Sequence, residues 1–193
     1  MSVRKAAVKA FSLLKTEESI KFLTLALTDE NPDIRISSAL SLGSMRSKGI
    51  YEALSLLLSD SDDSVRAAAS KALGMLGETR AVKPLIEILS DRNGFVVTTA
   101  IESLGVIGGD EARSALINML SSDDREVRRT TIKALSSFED ISGALLPFLK
   151  DTDWATRMAS AQVLGKKPES FYRSFTRHIN QHIFFNPKIE ADP

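Results

Sequence analysis

The 193-residue sequence predicts an all-α solenoid, a stack of about six antiparallel helix pairs, and three observations carry that prediction. First, a shift of 31 residues lays the sequence on itself: Arg4, Arg35, Arg66 and Arg128 share one column, Val97 fills its one missing place, and Arg157 follows after 29 residues. Second, Leu23, Leu54, Leu85, Leu116 and Leu145 form a column, and Leu27, Leu58, Leu89, Leu120 and Leu149 repeat it four residues on. A spacing of four puts both columns on one helical face. Third, Asn31, Asp62, Asn93, Asp124 and Asp153 recur at one place, each able to cap a helix N-terminus.

The clearest copy runs from Asp60 to Leu89 and resolves into two helices. Helix A carries Val65, Ala69, Ala72, Leu73 and Leu76 at steps of three and four, the buried stripe of an amphipathic helix. Gly74 and Gly77, echoed by Gly105 and Gly108, fall around its last turn, where a residue without Cβ takes positive φ and ends the helix. Helix B then spans about Arg80 to Leu89, its starts marked by Thr79, Asp110 and Asp140 as caps. Pro32 follows the cap Asn31 at a first helical position, where a missing N–H costs nothing. Two residues before each cap, and six before the arginine column, stand Asp29, Asp60, Asp91, Ser122 and Asp151.

An Asp followed six residues later by Arg, inside a two-helix unit with these leucines, resembles the HEAT repeat. The short period and the turn Leu73-Gly74-Met75-Leu76-Gly77 are most similar to the HEAT-like repeats of the phycobilisome-lyase group. The resemblance covers roughly Val3 to Gly165 and specifies fold rather than activity. It implies a right-handed α-α superhelix with A helices on the convex side and B helices on the concave side. It also implies a hydrogen-bonded ladder through Asp29, Arg35, Asp60, Arg66, Asp91, Arg128, Asp151 and Arg157. Val97 removes an arginine and Ser122 an aspartate, which weakens the ladder around the fourth and fifth repeats.

The solenoid is expected to occupy residues 1–183 as one domain, with repeats over about 2–28, 31–59, 62–90, 93–121, 124–150 and 153–183, and a tail over 184–193. In the first repeat the face Val3, Ala7, Val8, Phe11 and Leu14 has no polar helix before it, although terminal repeats need one. That edge is expected to be covered by upstream repeats or by a second copy docking edge to edge. Gly143 and Pro147 predict a short or bent fifth B helix. In the sixth, Phe171, Tyr172 and Phe175, with Phe184 and Phe185 beyond, are expected to cap the stack.

Composition narrows the function. Lys plus Arg and Asp plus Glu both number 25, so the net charge is zero with neutral histidines, and no basic excess draws the chain to nucleic acid or an anionic membrane. Cysteine is absent, so disulfides and thiolate chemistry are excluded. No run is apolar enough to span a bilayer, and a cytoplasmic setting without a signal peptide is the expectation. His178 and His182 stand four apart on one helix face but lack a third ligand and read as surface residues. The His-Glu pairs of HEAT-like hydroxylases have no counterpart here. Gly105, Gly108 and Gly109 follow a helix, not the strand a phosphate loop requires. Trp154, the only tryptophan, stands beside the cap Asp153, without the further tryptophans and basic track of HEAT-like DNA glycosylases, and is expected to be partly exposed while packing on the neighbouring repeat. Both histidines sit in the last helix, away from any serine that a triad would use. No catalytic, metal or cofactor residue emerges.

What remains is surface. Lys21, Thr24, Glu52, Ser55, Lys83, Glu87, Ser114 and Asn118 flank the buried leucines of the B helices and are expected to face the concavity. Their mixed charges do not make the cationic row that a phosphate backbone wants, and they suit a protein or peptide. The sequence therefore reads as a non-catalytic interaction scaffold. The alternatives are a lyase-like role on bilin chromophores, implied by the resemblance alone, and DNA binding or repair, which the neutral charge disfavours.

Overall fold

A computed structural model describes residues 3–46 and 49–166, and the chain divides into two compact units, Met1–Ile141 and Ser142–Pro193. Every regular element among the described residues is helical. In the first unit the A helices are α1 (Val3–Leu14), α3 (Pro32–Met45), α5 (Asp63–Leu76), α7 (Gly94–Ile107) and α9 (Arg125–Leu135). Between them lie the B helices α2 (Glu17–Ala26), α4 (Tyr51–Leu56), α6 (Val82–Ile88) and α8 (Asp110–Met119). Short 3-10 turns extend α4 through Leu57–Ser59 and precede α6 over Thr79–Ala81.

The A helices begin where side-chain caps start them. Asn31 Oδ1 accepts from the Asp33 amide at 2.9 Å, and Asp62 Oδ1 accepts from Ser64 and Val65 at 2.9 and 3.1 Å. Asn93 and Asp124 do the same for α7 and α9. Each such bond satisfies an amide that the helix itself leaves open, worth about 1 kcal/mol. The B helices start differently. Thr16 caps α2 through Ser19, but Thr79 and Asp110 are the first residues of their elements and Asp140 sits at positive φ in a turn, so the expected caps there are not formed. Gly109 precedes α8 without a side-chain bond.

The core runs between the two helix layers. Leu23, Leu54, Leu85 and Leu116 are fully buried, as are Ile34, Val65 and Val96 at the start of successive A helices. Each such side chain contributes about 2 kcal/mol of transfer free energy. The A helices approach one another closely through a glycine column. A Cβ on Gly43 would stand 2.7 Å from Ala72 Cα, one on Gly74 would stand 2.7 Å from Ser103 Cβ, and one on Gly105 would stand 2.9 Å from Ala134 Cβ. Two roles read as one in the sequence are therefore separate. Gly77, at φ 74°, ends α5, whereas Gly74 and Gly105 lie inside helices and are small because a neighbouring helix presses on them. Ser103 Oγ reinforces the contact by donating to the Ser70 carbonyl at 2.8 Å.

In the second unit α10 is a single turn, Ser142–Leu145, followed by a 3-10 stretch, Leu146–Lys150, with Pro147 near its start. The ring that removes an N–H prevents a longer α-helix there. α11 (Trp154–Gly165) begins at Asp153, whose Oδ2 accepts from the Thr156 amide and hydroxyl at 2.9 and 2.7 Å. Trp154 opens this helix 63% exposed, in keeping with the partial exposure expected at a helix start. The expected sixth B helix with Phe171, Tyr172 and Phe175, the residues Phe184 and Phe185, the pair His178 and His182, and the tail over 184–193 lie outside the described residues.

Candidate interaction surface

Arginines of the A helices tie successive repeats at the helix starts. Arg35 Nε and NH2 donate to both carboxylate oxygens of Asp60 at 2.9 Å, and its NH1 donates to the Asp29 carbonyl at 2.8 Å. Arg66 repeats the arrangement on Asp91 at 2.7 and 3.0 Å and on the Asp60 carbonyl at 2.9 Å, adding Asp63 at 2.6 Å. Such forked, charge-assisted pairs are the stronger kind of hydrogen bond. Each aspartate also accepts from the amide two residues on, as Asp60 does from Asp62 and Asp91 from Asn93. The Arg66 guanidinium holds the Asp91 carboxyl below the ordinary range, and Asp91 in return raises Arg66. At Asp60 burial opposes ionisation, but the bonds from Arg35 and the Asp62 amide outweigh it and lower the pKa. Arg4 reaches Asp29 and Glu30 at the surface.

The register of 25 residues that joins Arg35 to Asp60 and Arg66 to Asp91 also matches Val97 with Ser122. Both departures from the ladder therefore belong to one rung. Cation and anion are lost together, so neither leaves a buried charge without its counterion. Val97 is buried, and Ser122 keeps the local role by accepting from the Asp124 amide at 3.2 Å. Arg128 donates to the Ser122 carbonyl at 2.8 Å, Arg157 donates to the Asp151 carbonyl at 2.8 Å, and Asp151 accepts from the Asp153 amide.

The eight surface residues singled out on the B helices are all solvent-accessible. Lys21, Glu52, Lys83, Glu87, Ser114 and Asn118 are exposed, while Thr24 and Ser55 are partly covered. The hydroxyls of Thr24, Ser55 and Ser114 donate to carbonyls of their own helices, so they are already satisfied. Glu52 accepts from Arg80 NH1 at 2.6 Å. Its own backbone amide and then Arg80 lower its pKa. Arg80, which also pairs with Glu78, lies 3.9 Å over the Tyr51 ring and accepts the Tyr51 hydroxyl on its carbonyl at 3.1 Å. Glu52 thus belongs to a clamp between adjacent repeats.

Two further members of this face escaped the reading of the sequence. Leu25 and Leu56 are 75% and 78% exposed, in the column that continues as Glu87 and Asn118. Each lies two residues after a buried leucine, Leu23 or Leu54, and two residues is more than half a turn, so it must face outward. That spacing was the available signal. Three cavities of the first unit open on the A-helix face, one of about 470 Å³ between α1 and α3, one of about 270 Å³ across α3, α5 and α7, and one of about 400 Å³ between α7 and α9. Among the described residues no group of His, Cys, Asp and Glu could hold a metal, and no helix is long and apolar enough to cross a membrane.

Alternating helices, a leucine core and arginine-aspartate rungs define a helical repeat protein. The family model for HEAT repeats matches residues 50–136 and 114–170, together more than half of the chain, and the chain belongs to that family. Among solved structures it is similar to the complex of CpcE and CpcF of phycocyanin lyase from Nostoc sp. PCC7120, with 21% identity and a TM-score of 0.67 over 83% of this chain and 70% of that one. A designed armadillo repeat protein in complex with the peptide (KR)4 matches at 18% identity and a TM-score of 0.61, covering 83% of this chain and 91% of that one. YIBA from E. coli matches at 21% identity and a TM-score of 0.61, covering 95% and 70%. At these identities the likeness is one of fold. No curated protein matches.

Proposed function

We propose that the chain is a non-catalytic scaffold that binds a protein partner through the exposed face of its B helices. The observation that carries this reading is the pair Leu25 and Leu56, mostly in solvent at equivalent places of successive repeats. Exposed apolar area of that kind, rimmed by Lys21, Glu52, Lys83 and Glu87, has the apolar centre and polar border of an interface. The complex of a designed armadillo repeat protein with a peptide supports the use of such a fold for binding. The test is affinity capture by the full chain, followed by titration of the purified partner against wild type and a Leu25→Asp/Leu56→Asp variant. The variant should bind at least tenfold more weakly with a nearly unchanged melting temperature. Equal affinity would overturn the B-face assignment. A second reading, action on a bilin, takes support from the phycocyanin lyase neighbour. A bilin absorption spectrum changed by adding the protein would favour it over the scaffold.

A further inference from the structure

The cavity of about 270 Å³ on the A-helix face is apolar at its base, with Ala67 and Ala68 of α5 between Ile36 and Leu40 of α3 and Phe95 and Thr99 of α7. Phe95 is 65% exposed. Lys71 and Glu102 also line the recess, and the 31-residue register extends their row over five A helices as Lys9, Leu40, Lys71, Glu102 and Lys133. The four charged residues are exposed, and among the described residues none of their charged groups forms an ion pair or hydrogen bond. The row beside it behaves differently. Lys5 pairs with Asp33, and Arg129 pairs with Glu126. The four charges of the row along the apolar groove are not paired, although Lys71 and Glu102 line the same recess.

We propose that this groove binds an extended peptide in the polyproline II conformation, laid across the A helices and carrying acidic, apolar, acidic, basic and acidic side chains at every third residue. A polyproline II chain has three residues per turn and rises about 3.1 Å per residue, so one side recurs about every 9 Å. Packed helices lie roughly 8 to 10 Å apart, and glycine contacts join α3 to α5, α5 to α7 and α7 to α9. A helical ligand would repeat about every 5.4 Å and fall out of step. A strand would need backbone partners, but the hydroxyls of Ser37 and Thr99 already donate to Asp33 and Phe95 carbonyls. Polyproline II backbone is solvated and needs none. In the proposed pose the peptide's acids meet Lys9, Lys71 and Lys133, its base meets Glu102, and its apolar residue meets Leu40.

The test is fluorescence anisotropy of the full chain with a labelled peptide bearing Glu, Leu, Glu, Lys and Glu at every third position among prolines, and with the same residues in reverse order. One of the two peptides should bind, and a scrambled order should not. The Lys71→Glu/Glu102→Lys variant, whose substitutions are exposed, should melt as wild type does and lose at least tenfold in affinity. A peptide with the central Glu and the Lys exchanged should restore binding to that variant. Leu25→Asp/Leu56→Asp should bind the original peptide as tightly as wild type, which separates this groove from the B-helix surface. Binding by neither peptide, equal binding of the scrambled one, no rescue by charge exchange, or loss in the Leu25→Asp/Leu56→Asp variant would overturn the proposal.

Discussion

At the scale of the residue, the rung between Arg66 and Asp91 shows why Val97 and Ser122 differ together. With Arg66 and Asp91 both mostly buried, removing Arg66 strands the Asp91 carboxylate, which costs about 3 to 5 kcal/mol, whereas Asp91→Ser leaves Arg66 its bond to Asp63. Arg66→Val alone should therefore destabilise strongly, and Asp91→Ser alone less. Arg66→Val/Asp91→Ser, a copy of the Val97 and Ser122 rung, should cost less than the two single changes summed, with a coupling of about 1 to 3 kcal/mol in a denaturant double-mutant cycle. The same pairs set the acid limit. The folded-state pKa of Asp60 and Asp91 is lowered, so their stabilisation is fully present above the unfolded carboxylate value of about 3.9. It is lost as pH falls through the lower folded values. The melting temperature should hold from neutral pH to about 5 and drop below about 4, and it should drop less steeply in the double variant. The arginine and aspartate columns were legible in the sequence. That both departures share one rung was not, because the partner of each arginine lies in the next repeat.

At the scale of the element, glycine is where sequence and structure part most usefully. Gly74 stands in the interior of α5, and helix propensity alone says that Gly74→Ala should stabilise by about 1 kcal/mol. An added Cβ would stand only 2.6 to 2.9 Å from Ser103, which says the opposite, a loss of about 1 to 3 kcal/mol from overpacking. Thermal unfolding of the variant decides by its sign. Position in the last turn suggested helix termination for Gly74 and Gly77 alike, since close approach between helices leaves no local mark in one sequence. The helix caps Asn31, Asp62, Asn93, Asp124 and Asp153 were legible because a cap bonds to amides two or three residues away. The starts of α6 and α8 were not, since a 3-10 turn precedes the one and Gly109 the other, with no side-chain cap at either. The missing rung gives a further expectation. Amide hydrogen exchange should be faster at Gly94–Val97 than at the matching start of α5, because repeat arrays open locally where an interface term is weak. Equal protection would mean that apolar packing of Val97 replaces the rung fully.

At the scale of the whole molecule, membership in the HEAT-repeat family explains the architecture and leaves the partner to the surface. The alternation of helices and the leucine core were legible because a solenoid repeats its instructions about every 31 residues. The surface was less so: of the B-helix face, polar residues such as Lys83 and Glu87 were recognised, while Leu25 and Leu56 were hidden among leucines that do build the core. The most direct test of the scaffold account is a hydrogen-exchange footprint of the full chain, free and saturated with its captured and purified partner. The account predicts added protection in α2, α4 and α6, with α1, α3, α5 and α7 unchanged. Protection confined to those A helices, or no change in any helix, would contradict it.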